Sequence, residues 1–114
     1  MKATFVELPA FQRWRGAYLD DDEFASLQEL MMRLPKVGAL IPGSGGLRKL
    51  RLGSSQRQKG KRGGLRVIYY WWAAGSQFWL FTLYSKGEVA DLTKAELAVL
   101  KAAVKAELAI RRGN

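Results

Sequence analysis

The chain contains neither cysteine nor histidine. Without cysteine there is no disulfide framework and no thiolate metal site. Without histidine the usual general base near neutral pH is missing, so Ser-His-Asp triads, Cys-His pairs and His-ligated metals are excluded. Any catalysis has to run on Lys, Arg, Tyr, carboxylates or backbone groups. Acidic residues are absent from the middle of the chain, where nothing between Met31 and Gly87 is Asp or Glu. Long apolar runs are absent too. The longest, residues 67–74, is too short to span a bilayer and is full of Tyr and Trp. Residues 1–8 carry one Lys and reach Glu7 with no apolar stretch of the kind a signal peptide needs. A cytoplasmic protein without membrane association is expected.

What is present fits one domain spanning residues 1–114. Hydrophobic residues make up 48% of the chain, with four Trp, which is enough for a core. The formal net charge is +9 and it is concentrated. The acid-free stretch holds Arg33, Lys36, Arg48, Lys49, Arg51, Arg57, Lys59, Lys61, Arg62, Arg66 and Lys86. Such a block repels itself and calls for an anionic partner, nucleic acid first. A merely solvated basic surface is the blander alternative.

Periodicity gives the elements. Residues 4–8 read as a short strand. Pro9 suits a first helical position, and Phe11, Trp14 and Tyr18 follow at helical spacing. A second helix opens at Asp20 with Glu23 three residues on, a capping box. Its stripe is Phe24, Leu27, Met31 and Leu34, and Pro35 ends it. Residues 38–46, with Pro42 and four Gly, read as a loop. Strands follow at 47–52, 65–72 and 78–85, separated by a long basic loop (53–63) and a short turn (73–76). Thr93 and Glu96 cap a last helix with Leu97, Leu100, Val104 and Leu108 as its stripe and Gly113 as its stop. The order β-α-α-β-β-β-α makes an α+β domain with a mostly antiparallel sheet.

Alternation along the strands sorts the side chains. If Arg51 pairs near Arg66, and Arg66 lies across from Tyr84, then Lys49, Arg51, Arg66, Tyr84 and Lys86 share one face. Leu50, Leu52, Leu65, Val67, Trp71, Trp79, Phe81 and Leu83 then form the opposite, core face. Ile68, Tyr70, Trp72, Phe78 and Leu80 fall on the cationic side and need a cover. Cations this close need an anion between them, and Arg offers a planar fork for phosphate. Residues 42–46 lack the spacing of a phosphate-binding loop and are followed by a strand, so a structural turn is expected. The acids at 20–23 suit helix capping better than metal binding, and no metal or other cofactor is expected.

These residues resemble a known family. The run from Pro42 to Arg51, then Lys59 to Tyr70, then Leu83-Tyr84-Ser85-Lys86, is similar to the HigB branch of the RelE toxin superfamily. The similarity extends from Phe5-Val6-Glu7 to Asp91-Leu92-Thr93. It implies a microbial RNase fold and the toxin of a type II toxin–antitoxin system. It also implies an enzyme that cuts mRNA at the ribosome by 2′-hydroxyl attack on the adjacent phosphate. The implied partners are the ribosome with its mRNA and a HigA-like helix-turn-helix antitoxin; no small-molecule ligand is implied. The paired cations of the family match Lys49 and Arg51, its third-strand arginine matches Arg66, and its basic residue after the fourth strand matches Lys86. An arginine found next to that position in RelE is Gly87 here. The family's tyrosine near the C-terminal segment has no counterpart, since no Tyr follows Tyr84, and Tyr84 is the candidate to replace it.

On this reading Arg51 and Arg66 clamp the phosphate, and Lys49 or Lys86 takes or gives a proton. Arg48, Lys59, Lys61 and Arg62 hold the RNA backbone. The competing expectations are a ParE-like toxin acting on gyrase and a nucleic-acid-binding module without activity.

Overall fold

Two capping boxes decide where the longer helices begin. At the first, the Asp20 carboxylate accepts from Glu23 N at 2.8 Å, while Glu23 Oε1 accepts from Asp20 N at 2.8 Å. At the second, Thr93 Oγ1 accepts from Glu96 N at 3.0 Å, and Glu96 Oε1 accepts from Thr93 N at 2.8 Å. Each satisfies two backbone donors that a helix start leaves without partners. A computed structural model describes residues 2–53, 64–87 and 91–112. Its elements are β1 (Thr4–Glu7), α1 (Pro9–Tyr18), α2 (Asp21–Arg33), β2 (Ala39–Leu40), β3 (Arg48–Leu52), β4 (Leu65–Trp72), β5 (Gln77–Ser85) and α3 (Lys94–Arg111). The basic loop with Lys59, Lys61 and Arg62 lies outside the described residues, as does Gly113.

The strands form one sheet in the order β1-β5-β4-β3-β2. β1 runs parallel to β5, and the other neighbours are antiparallel. The segment expected to be all loop contributes a two-residue edge strand, with Ala39 opposite Lys49 and Leu40 opposite Arg48. Its Gly-rich remainder is the expected turn, pinned by Ser44, whose hydroxyl donates to Ile41 O at 2.6 Å and accepts from Leu47 N at 3.0 Å. Gly46 sits at φ +111°, and a Cβ there would come within 2.8 Å of the Tyr70 ring.

Helices cover both faces. α1 and α2 bring Phe11, Leu27 and Met31 onto Leu50, Val67, Tyr69 and Leu83. α3 brings Val104 onto Leu47, Ile68, Trp79 and Phe81. Trp79 and Phe81 therefore lie on the face opposite Leu83, against the simple alternation. The cause is a bulge. Ile68 pairs with Thr82, but its neighbour Tyr69 pairs with Leu80, leaving Phe81 as an extra residue in β5. The same bulge sends Phe78 and Leu80 to the α1–α2 side. Ile68, Tyr70 and Trp72 stay on the cationic face and are covered by α3. Two expected core residues are not core: Trp14 is 48% exposed and Leu34 is 51% exposed. Leu34 caps α2 with a non-helical backbone, so its side chain leaves the stripe.

Candidate active site

The pairing that gathers the site runs across three strands. Arg51 stands opposite Arg66, and Arg66 opposite Tyr84. Lys49, two residues before Arg51, projects from the same face. The residue that leads into β4 is Gly64, packed against the end of β3. Its φ is +66°, and a Cβ there would meet Leu52 O at 2.5 Å, so glycine alone fits. Gly64 O in turn accepts from Lys86 N at 3.0 Å, which continues the β4–β5 pairing past the end of β5. The backbone thus delivers Lys49, Arg51, Arg66, Tyr84 and Lys86 to one end of the sheet, where α3 begins.

A sixth residue joins them that the sequence pattern did not single out. Asp91, two residues before the α3 cap, places its carboxylate between Lys49, Tyr84 and Lys86. Asp91 Oδ1 accepts from the Tyr84 hydroxyl at 2.7 Å and from Lys49 Nζ at 3.2 Å. Asp91 Oδ2 takes a second contact from Lys49 Nζ at 3.2 Å and lies 3.7 Å from Lys86 Nζ. A signal for it existed. A cluster of cations needs a counter-charge, and Glu88 and Asp91 are the first acids after the long acid-free stretch.

The electrostatics follow from these contacts. The bond from Tyr84, then that from Lys49, with the Lys49 and Lys86 charges behind them, hold the Asp91 carboxyl below its ordinary range against a small effect of burial. Asp91 is therefore ionised at neutral pH. Tyr84 moves the other way. Burial pushes its hydroxyl up first, the bond and charge of Asp91 add to this, and Arg66 opposes it. Tyr84 is consequently a proton donor held toward Asp91, not a ready proton acceptor. Arg51 is exposed and Arg66 is half-buried, so both remain within reach of a ligand on the surface. Lys49, Tyr84, Asp91, Ile41, Leu92 and Leu97 line a small cavity of about 150 Å³.

Arg48 is not part of this group. It points to the other face, opposite Tyr69, and donates to the backbone carbonyls of Gly38 at 2.8 Å and Lys36 at 3.3 Å. Among the described residues no group of three or more His, Cys, Asp or Glu could hold a metal ion, and no helix is long and apolar enough to cross a membrane.

No protein-family model matches the chain. Among solved structures it is similar to a double arginine-to-alanine variant of the Escherichia coli toxin RelE in the free state. The TM-score is 0.55 and the sequence identity 16%, over 90% of this chain and 97% of the other. That likeness establishes the fold: an α+β domain of the RelE kind, with a five-stranded mixed sheet and three helices. A fold leaves the chemistry to be argued from the site.

Proposed function

We propose that this chain is the toxin of a type II toxin–antitoxin pair, an endoribonuclease that stops translation by cutting mRNA on the ribosome. The observation that carries the reading is that strand pairing brings Lys49, Arg51, Arg66 and Tyr84 to one face of a fold of the RelE kind, where Lys49, Tyr84 and Lys86 hold the Asp91 carboxylate. The 2′-hydroxyl of RNA is its own nucleophile, so the protein has to align it with the phosphate, stabilise the developing charge and move two protons. The new bond joins O2′ to phosphorus. The bond from phosphorus to O5′ breaks, leaving a 2′,3′-cyclic phosphate and a 5′-hydroxyl.

In this mechanism Arg51 and Arg66 clamp the non-bridging oxygens. Asp91 aligns Lys49, Tyr84 and Lys86, and as the ionised carboxylate of the group it takes the proton from the 2′-hydroxyl. Lys49 or Lys86 returns a proton to the departing O5′. No step calls on a metal. The basic segment with Lys59, Lys61 and Arg62 would hold mRNA or ribosomal RNA. A cognate antitoxin of the HigA kind would silence the activity.

The test is expression of the chain alone, followed by amino-acid incorporation, DNA synthesis and mapping of RNA ends. The expected result is a rapid stop in incorporation with new ends bearing cyclic phosphates. Arrest of DNA synthesis with normal incorporation would instead favour an action on gyrase.

A further inference from the structure

Lys49 is the cation that reaches both oxygens of Asp91, each at 3.2 Å. Its strand lies beside the weakest edge of the sheet. β2 has two residues, with Ala39 opposite Lys49 and Leu40 opposite Arg48. A strand that short does not keep its own register. The turn before it does, and that turn is fastened from the face opposite the cations. The Tyr69 hydroxyl donates to Pro35 O at 2.9 Å and accepts from Gly38 N at 3.0 Å. The Arg48 guanidinium donates through Nη1 to Gly38 O at 2.8 Å and to Lys36 O at 3.3 Å. There is no slack in this turn. A Cβ on Gly38 would lie 2.8 Å from the Tyr69 ring, 3.2 Å from Arg48 Cβ and 3.1 Å from the Lys49 carbonyl carbon. Gly38 is thus wedged against the backbone of the residue that holds Asp91. Beyond β2, Ile41 N donates to Leu47 O at 2.9 Å, and Ile41 lines the small cavity with Lys49 and Asp91.

We propose that Arg48 and Tyr69 are positioning residues for RNA cleavage: by clamping the turn at residues 35–38 they fix the Lys49 backbone, and with it the aim of Lys49 at Asp91. The inference rests on the RNA-cleaving reading of the cluster and deepens it. Arg48 and Lys49 are neighbours on opposite faces of β3, joined by one planar, stiff peptide unit. A shift at Arg48 is therefore passed straight to Lys49. Hydrogen bonds from a charged donor are stronger than neutral ones, so the guanidinium makes a firm anchor for two carbonyls. Tyr69 is fully buried and is stable as the neutral donor. Burial pushes its hydroxyl up, against the Gly38 bond and the Arg48 charge. The clamp also accounts for an arginine of the basic run that turns away from the other cations.

The test compares Arg48→Met, Arg48→Lys and Tyr69→Phe with the intact protein. Leu27→Ala, which loosens the core under α1 and α2, serves as a variant that is only destabilised. Cleavage of ribosome-bound mRNA gives kcat and KM, and carbon NMR of the Asp91 carboxyl gives its titration without RNA. Arg48→Met should lower kcat roughly tenfold to a hundredfold, the scale of a misplacement of about 1 Å. KM should change little, because Arg51 and Arg66 still hold the phosphate. Arg48→Lys should recover part, since an ammonium donates to a carbonyl but lacks the fork. Tyr69→Phe should lower kcat in the same direction. When Lys49 slips, Asp91 loses one contact that holds its carboxyl down, while Tyr84 and Lys86 remain. Its titration, and the acid limb of the rate profile, should then move to higher pH. Leu27→Ala should lower the urea midpoint and move neither. If Arg48→Met and Tyr69→Phe lower the midpoint but leave kcat and the Asp91 titration in place, the clamp is structural only and the proposal fails. A raised KM at unchanged kcat would put Arg48 on the RNA and overturn it as well. If the intact protein cuts no RNA, the nuclease reading fails, and the clamp stands or falls on the Asp91 titration alone.

Discussion

At the scale of single residues, Asp91 has the most to explain. It is the counter-charge without which Lys49 and Lys86 would repel one another, and it keeps the Tyr84 proton in place. Asp91→Asn should slow RNA cleavage roughly a hundredfold, the usual worth of a positioned acid–base group. Its pH signature has a definite sign. A carboxyl lowered in the folded state stabilises the fold above its unfolded value, and that contribution is lost as pH falls through the folded value. The gap in urea midpoint between intact protein and Asp91→Asn should therefore be widest near neutrality and close on acidification below about pH 4. A gap that persists unchanged at pH 3 would refute the charged contact. Tyr84, raised by burial and by Asp91, runs oppositely: its contribution is intact below about pH 10 and fades only above it.

Arg66 stands at the centre of the pairing, with Arg51 on one side and Tyr84 on the other. Arg66→Ala should lower the cleavage rate by several hundredfold, since a contact to charge developing in the transition state is worth roughly 3 to 4 kcal/mol. Arg66→Lys should recover only part, because an ammonium cannot make the forked contact. Far-UV circular dichroism should be unchanged in both. Single-turnover cleavage at the wild-type rate in Arg66→Ala would remove the phosphate clamp from this face.

At the scale of elements, the start of α3 matters more than its length suggests. It begins three residues after Asp91, and it closes the cationic face with Leu97. Thr93→Ala removes one half of the capping box and should destabilise the protein by about 1 kcal/mol. It should also depress cleavage, because fraying of the first turn loosens Asp91. A urea titration and a rate measurement on the same variant would check both, and stability lost without any loss of rate would separate the cap from the site. The bulge in β5 is the other decisive element. It turns Trp79 and Phe81 toward α3 while leaving Leu83 under α1 and α2, so both helical layers receive large side chains from one strand.

At the scale of the whole molecule, a net charge of +9 on 114 residues favours an anionic partner, RNA in the function proposed above. Binding that neutralises several phosphates should weaken by at least roughly a hundredfold between 50 and 200 mM salt. Lys59→Ala should lower the slope of log affinity against log salt by about one and leave single-turnover cleavage at saturation near normal. A filter-binding series across salt concentrations gives the slope directly, and a flat series would rule out RNA as the partner that relieves the charge.

Much of this was legible from sequence because it is local. The capping boxes at Asp20 and Thr93 announce their helices through residues three apart, and period-two alternation put Lys49, Arg51, Arg66 and Tyr84 on one face. The absence of histidine and cysteine narrowed the chemistry before any fold was known. Other features depend on contacts between segments far apart in the chain. The two-residue strand at Ala39–Leu40 exists because β3 offers it an edge, since its Gly- and Pro-rich surroundings have no strand pattern. The bulge at Phe81 reflects the packing of two helical layers on one strand, which alternation cannot register. Arg48 reads like its neighbours in a basic run, yet strand direction sends it to backbone carbonyls on the far face. Asp91 meets Lys49 across 42 positions. Composition can call for a counter-ion, but only the closing of the chain selects which carboxylate fills the place.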